Sequence, residues 1–260
     1  MNSKNCALIT GASSGIGLEL AKIHARQGGD LILVARSEDK LQQLKQQLEE
    51  QYSISVVAIV EDLSQNGAAS RVFSQTRAMG LVVDVLINNA GFGGQGLFHT
   101  RNLDTEEAMM QVNMRALTSL THVYLQDMVE RRRGRILNVS STASFVPGPL
   151  LAVYCATKAY VTSFSQAIAE EVAVYDITVT ALCPGPVKTG FMEAAGLTGV
   201  AIFDRSKSAK SVAECGYKAM MRGDLVVFNE TKLKLLFNWV VPFLPRKLVL
   251  KSSRKAMEKS

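Results

Sequence analysis

The sequence predicts an α/β fold in which one doubly wound parallel sheet is flanked by helices on both faces. Short runs of apolar and β-branched residues alternate with longer segments of helical period. The strand runs are almost continuously apolar, without the polar alternation that a water-facing sheet surface imposes, so helices must cover both faces. A glycine-rich turn, TGASSGIG at 10–17, sits between the first strand run and the first helical segment.

In order, residues 6–10 read as a strand and 15–27 as a helix, 31–34 as a strand and 37–51 as a helix, then 56–60 and 65–78. A strand at 83–88 precedes one long helical stretch at about 105–131. A strand at 135–140, a helix at about 154–175 and a strand at 178–183 follow. Right-handed crossovers place all strand C-termini on one edge, where ligands bind in such sheets. Residues 184–208 leave that edge, are rich in Gly and small side chains and lack a clear period, which makes them a lid candidate. No repeat or long Pro/Gly/Ser linker divides the chain, so a single domain over 1–230 with an extension at 231–260 is expected.

With 47% hydrophobic and 20% charged residues, the 260-residue chain can bury a sizeable core. Its net charge of +6 is local: 231–260 holds eight Lys/Arg and one Glu, a surplus of seven, which leaves 1–230 at −1. The main fold therefore gives no reason to expect nucleic acid as a partner. Cys6, Cys155, Cys183 and Cys215 have no CxxC spacing, and His24, His99 and His122 form no ligand-like pair; reduced thiols and no metal are expected. The N-terminal residues lack the charged start, long apolar stretch and small-residue cleavage site of a secretory signal, so a cytoplasmic location is expected.

The glycine turn gives a Rossmann-like reading. A strand-to-helix turn aims free N–H groups and the positive end of the helix dipole at an anion, and glycines let a pyrophosphate approach the main chain. Gly11, Gly15 and Gly17 supply that surface, with Ser13, Ser14 and Ile16 in the same turn. The spacing is GxxxGxG, not the general GxGxxG fingerprint. At the end of the second strand, where an acid would select NAD(H), stands Arg36. Its guanidinium can pair with a 2′-phosphate, which favours NADP(H) over NAD(H); the plain alternative is a solvated arginine starting the next helix. Asp62, followed by Leu63, ends the third strand and can meet an adenine amino group or cap the following helix.

Three further features complete a constellation: NNAG at 88–91, Asn113 in the long helical stretch, and SSTAS at 140–144 followed by YCATK at 154–158. Together with the glycine turn, this set resembles the classical short-chain dehydrogenase/reductase family over residues 5–230. The resemblance implies Tyr154 as catalytic acid or base, Lys158 as its electrostatic partner, Ser141 as substrate orienter and Asn113 as anchor of a proton-relay water. It makes Asn88 and Asn89 braces of the sheet, lets cofactor lie close to Asn89, Ala90 and Gly91, and brings Pro184, Gly185, Val187 and Thr189 to the nicotinamide carboxamide.

Each implied role has a physical reason. Hydride addition to a carbonyl carbon creates an alkoxide, so an acid must stand beside the oxygen, and a serine hydroxyl can donate a second hydrogen bond. A free phenol titrates near ~10, and a nearby ammonium favours the phenolate. Helical positions four apart share a face, so Tyr154 and Lys158 point the same way. Successive residues leaving a strand point oppositely, so only one of Ser140 and Ser141 reaches the site, and the family's spacing selects Ser141.

The extension at 231–260 carries Leu233, Leu235, Leu236, Phe237, Trp239, Val240, Val241, Phe243 and Leu244 among lysines and arginines, interrupted by Pro242 and Pro245. It is too short and broken to cross a membrane. A flap over the substrate pocket, a subunit contact and a peripheral anchor on anionic lipid all fit; packing on the protein or a partner subunit ranks first. The expected activity is NADP(H)-dependent interconversion of a carbonyl and an alcohol, on a hydrophobic ketone or 3-oxoacyl substrate. A non-catalytic NADP(H)-binding redox sensor, an epimerase or dehydratase, and a membrane-surface protein are the rival readings. The family likeness implies a homodimer or homotetramer through the long helices.

Overall fold

The computed structural model describes residues 5–258, without the side chain of residue 205. In chain order, β1 (Ala7–Thr10) leads through the glycine turn into α1 (Gly15–Arg26), β2 (Leu31–Ala35) into α2 (Glu38–Tyr52), β3 (Val56–Val60) into α3 (Ala68–Ala78), and β4 (Val85–Asn88) towards α4 (Leu103–Met110). α4 continues through one π-helical turn, Gln111–Ala116, into α5 (Leu117–Arg131). β5 (Gly134–Val139), α6 (Ala152–Val172), β6 (Ile177–Leu182), β7 (Val187–Lys188) and α7 (Phe191–Ala194) follow. The chain then passes through β8 (Lys207–Ser208), α8 (Ala209–Arg222), β9 (Val226–Val227), α9 (Thr231–Leu235) and α10 (Arg246–Met257).

Seven strands form one parallel sheet in the order β3-β2-β1-β4-β5-β6-β9, which is the doubly wound, Rossmann-like architecture expected from the strand runs. Ile9 is paired with Leu33 on one side and Ile87 on the other. The winding reverses between β1 and β4, and at such a switch point the loops after the strands separate into a crevice.

Alternate residues of each strand serve opposite faces. Ile9, Leu33, Ile87 and Leu137 meet Leu20 of α1, Leu41 of α2 and Met220 of α8. Leu8, Ile32, Leu86 and Ile136 meet Val72 of α3 and Leu120 and Tyr124 of α5. Leu8 and Ile9 are completely buried, so truncating either to Ala would cost about 2–5 kcal/mol through lost transfer energy and a residual cavity.

α1 and α8 are also joined by a buried polar contact. His24 Nε2 lies 2.7 Å from the Asn5 carbonyl, which only accepts, so Nε2 carries the proton and Nδ1 accepts from the Tyr217 hydroxyl at 3.0 Å. Burial lowers the His24 pKa, against smaller raising effects of the Asn5 carbonyl and of Asp30 and Asp84.

The structure departs from the sequence reading in three places. The stretch expected as one helix at 105–131 is two α-helices joined by the π-helical turn. α8 and β9 were not expected: β9 is two half-buried residues, too short for any period to register. Gly216 of α8 marks close packing, since a Cβ there would lie 2.6 Å from Leu182. The segment at 184–208 is not structureless, for β7 pairs in parallel with β8 across it and α7 lies between them.

Candidate active site

The glycine turn is closed by Thr10 and Asn89. The Thr10 hydroxyl accepts from the amides of Asn89 and Ala90, each at 3.0 Å, while the Asn89 side-chain amide donates to the carbonyls of Thr10 and Gly11 at 2.9 and 3.2 Å. This cross-brace holds the end of β1 against the exit of β4 so tightly that side chains are excluded. A Cβ at Gly17 would lie 2.4 Å from both the Gly11 carbonyl oxygen and Asn89 Nδ2, and Gly11 itself has φ +65. Ser14 caps α1 with its backbone only, and the first turn of α1 has no acidic side chain. The first-turn amides, which have no intrahelical acceptor, therefore face the crevice uncompensated by a carboxylate.

Along the same edge, Gly15 meets Thr189, whose Cγ2 would be 3.1 Å from a Cβ at Gly15. The Pro184–Thr189 stretch thus returns onto the glycine turn, carrying Gly185 and Val187 with it. Arg36 is exposed just past β2. Asp62 accepts from the Ser64 amide at 3.0 Å, a turn within the loop before α3. Burial tends to raise the Asp62 pKa, but bonds from Ser64 and Gln65 and the charge of Arg36 lower it overall, so Arg36 and Asp62 share one electrostatic neighbourhood. Leu63 is buried beside them.

A buried polar ladder places α6. Asn88 Nδ2 donates to Asn138 Oδ1 at 2.9 Å, Asn138 Nδ2 to the Ser165 hydroxyl at 2.9 Å, and the Ser140 hydroxyl to the Lys158 carbonyl at 2.9 Å. Ser140 also shares a 2.6 Å bond with Thr162. Paired buried polar groups fix one register of helix against sheet, although Asn88 Oδ1 is left without a partner. Ser140 is consumed by the ladder, whereas Ser141 faces the other way, accepts from the Ala143 amide at 3.1 Å and draws the Tyr154 phenol's pKa down.

Lys158 is 5% exposed and donates from Nζ to the Val139 carbonyl at 2.8 Å, with Nζ 5.9 Å from the centre of the Tyr154 ring. Asn113 lies in the π-helical turn, 1% exposed; its side chain accepts from the Phe92 amide at 3.1 Å and donates to the Phe92 carbonyl and to Thr157 Oγ1 at 2.9 and 3.0 Å. Asn113, Lys158 and Gly91 converge: a Cβ at Gly91 would lie 2.9 Å from Asn113 Oδ1 and 3.4 Å from Lys158 Nζ. A π-helical turn at such a point is typical of functional sites.

Burial pushes the Tyr154 phenol up to about 12, with Ser141 pulling it down and Cys155 adding to the rise. Burial pulls Lys158 down to about 8, opposed by Cys183. The sequence led us to expect the ammonium to favour the phenolate. In the folded chain desolvation outweighs any such help, and Tyr154 is a protonated donor at neutral pH.

The wall beside Tyr154 is apolar: Leu151, Cys155, Ala195, Leu197 and Val200 form a cluster against which Tyr154, Phe191 and Phe203 pack. Leu150, at φ +68, turns the chain into α6 in a conformation that bulky side chains avoid, held by a 2.9 Å bond from the Gly96 amide. Sequence reasoning missed the supports Thr157, Thr162 and Ser165. Thr10 carried the one available signal, as the first residue of the TGASSGIG run.

The family model described as short chain dehydrogenase matches residues 5–198. The chain belongs to this family. It is 34% identical over 187 residues to a very-long-chain 3-oxoacyl-CoA reductase of Mus musculus, covering 70% of this chain and 59% of the relative. A Macaca fascicularis protein of the same name is 28% identical over 249 residues, 94% of this chain and 77% of that one. The match thus spans about three-fifths of the length of several curated relatives. Among solved structures, a short-chain dehydrogenase from Sphingobium yanoikuyae in complex with NADPH is similar at TM-score 0.84 and 30% identity, over 91% of this chain and 92% of that one.

Proposed function

We propose that the chain interconverts a carbonyl and an alcohol with NADP(H), acting on a hydrophobic ketone or 3-oxoacyl compound with Tyr154 as acid and base. The observation that carries this reading is Lys158, anchored on the Val139 carbonyl with Nζ 5.9 Å from the centre of the Tyr154 ring, at the edge of an apolar wall. The names of the relatives in mouse and macaque point the same way.

The residues fit a dinucleotide. Gly11, Ser13, Ser14, Gly15, Ile16 and Gly17 offer a turn at the N-terminus of α1 whose first-turn amides no acidic side chain of α1 compensates, and whose packing leaves no room for a Cβ at Gly17. Arg36 offers a cation for a 2′-phosphate, and its charge is what favours NADP(H) over NAD(H). Asp62 and Leu63 would border the adenine, Asn89, Ala90 and Gly91 the ribose and nicotinamide side of the crevice, and Pro184, Gly185, Val187 and Thr189 its far wall. Bound there, the cofactor supplies or accepts the hydride.

In reduction, the carbonyl oxygen accepts from Ser141 and Tyr154, and the Tyr154 proton passes to that oxygen as the carbon gains a hydride. The phenolate left behind is stabilised by the Lys158 ammonium and regains its proton from solvent. Asn113 keeps the part of anchor for a proton-relay water: its bonds to Phe92 and Thr157 fix it beside Lys158, and Oδ1, with one partner, retains a lone pair. Residues 1–230 form the catalytic unit in this reading. A homodimer or homotetramer through the long helices α5 and α6 belongs to it as well.

The test is a panel of aldehydes, ketones and 3-oxoacyl compounds of graded chain length, assayed with NADPH and NADH. Turnover rising with apolar length and faster with NADPH is expected. Equal turnover of hydrophilic sugars, with none of long-chain ketones, would refute the substrate class.

A further inference from the structure

The arm after β9 divides its apolar residues between two sides. Leu233 and Phe237, one helical turn apart, face inward: Leu233 approaches Gly185, and Phe237 stacks on Phe228 with ring centres 6.4 Å apart. In α10, Val249 is buried and Met257 joins the cluster beside Tyr154. Leu235, Leu236, Trp239, Val240, Phe243 and Leu248 point outward, with Trp239 69% and Phe243 78% exposed.

Lys232, Lys234, Arg246, Lys247, Lys251 and Lys255 flank this outward row and are all exposed. They account for most of the seven-charge surplus of 231–260, while 1–230 carries −1. No helix among the described residues is long and apolar enough to cross a membrane. An exposed tryptophan and phenylalanine rimmed by cations match the boundary between headgroups and acyl chains of an anionic bilayer. Two copies meeting arm to arm across a twofold axis would instead press like charges together.

The far end of the arm reaches the catalytic crevice. The Gln95 side-chain amide donates to the Met257 carbonyl, and the Gln95 backbone amide donates to the Ala195 carbonyl at 2.9 Å. The loop after β4, the segment after α7 and the end of α10 are thereby tied together around the apolar wall beside Tyr154.

We propose that the outward face of 231–257 docks on anionic lipid and sets the apolar mouth of the Tyr154 site against the bilayer, so that a lipid-dissolved carbonyl substrate enters from the membrane. This rests on the function proposed above for that site, but the docking is tested separately. Trp239 is the sole tryptophan of the chain, so its emission reports this surface alone. The full chain is mixed with phosphatidylcholine vesicles, with and without phosphatidylglycerol, and followed by fluorescence and flotation.

A blue shift and flotation on phosphatidylglycerol vesicles only, both lost at high salt, are expected. Flotation should weaken at least ~10-fold in Phe243→Ser and in Lys247→Glu/Lys251→Glu, where the fluorescence probe is retained. Turnover of a short water-soluble ketone should be unchanged in both variants, while turnover of a long-chain 3-oxo compound carried in the vesicles drops. No shift and no flotation of the wild type would overturn the proposal. So would a wild-type oligomer indifferent to vesicles that Phe243→Ser converts to monomer, which would assign the face to a second copy. Flotation without turnover of any carbonyl would overturn the catalytic reading and leave the docking standing.

Discussion

Lys158 Nζ donates to the Val139 carbonyl at 2.8 Å and stands 5.9 Å from the centre of the Tyr154 ring, so the ammonium is anchored to the sheet while its charge lies beside the phenol. Both residues stand on α6, and Lys158 ties that helix to the end of β5 twice, by its head to Val139 and by its carbonyl to Ser140. Tyr154 and Lys158 are therefore held together on a helix that the sheet fixes in place.

Tyr154→Phe removes the proton donor and leaves the ring packed against Phe191, 5.5 Å away between centres. Ketone-dependent NADPH oxidation should fall at least ~100-fold, the usual contribution of a positioned general acid. NADPH affinity, measured by calorimetry, should stay within about twofold, because the proposed cofactor site rests on the glycine turn and Arg36 and not on the phenol's proton.

Lys158 has a folded pKa lowered to about 8, so its ammonium is present below that pH and lost above it. Carbonyl reduction should be flat towards neutral pH and fall as pH rises through about 8. Lys158→Arg keeps its charge throughout that range, so the alkaline limb of a kcat/KM profile should vanish even if the maximum rate is lower.

Arg36→Ala deletes the cation at the end of β2. The KM for NADPH should rise roughly 10- to 100-fold, as expected for losing a charge-assisted pair, with the KM for NADH little changed. Steady-state kinetics with both cofactors checks the difference; an equal rise for both would mean that Arg36 does not read the 2′-phosphate.

His24 is a stability sensor for acid. Its folded pKa lies below the ordinary 6.5 because burial disfavours the cation, so the unfolded chain takes up a proton first as pH falls. The stabilising effect of its neutral form is complete above about 6.5 and is lost as pH drops below that value towards the folded pKa. Urea midpoints should fall with pH over this window, and Tyr217→Phe, which deletes the donor to Nδ1, should lower stability by about 1 kcal/mol at neutral pH.

Much of the fold was readable because buried parallel strands leave an unambiguous apolar signature. Runs such as Leu31–Ala35, buried at every position, have no other explanation. β9 was unreadable for the opposite reason: two residues complete a sheet only because Cys183 and Ala181 already offer amides to Val227 and Leu225. Tyr154, Lys158 and Ser141 were legible as spacing in the chain. The elements that set their geometry were not, since Thr157, Thr162 and Ser165 look like ordinary polar residues of an amphipathic helix until Asn113, Ser140 and Asn138 are seen facing them. Asn113 was named from a motif, but a widened helical turn has no pattern in residue type.

That turn has a consequence for how the long helix divides its labour. An α-helix advances about 100° per residue, and a π-helical insertion offsets the faces before and after it. α4 can therefore present Glu106 to Arg101, which holds the Gln95 carbonyl of the loop after β4, while α5, on the same continuous axis, aims Leu120, Tyr124 and Met128 at the sheet. Removing a single residue between 111 and 116 would force one half to surrender its client, so the fold's precision there is stored as a phase difference along one rod.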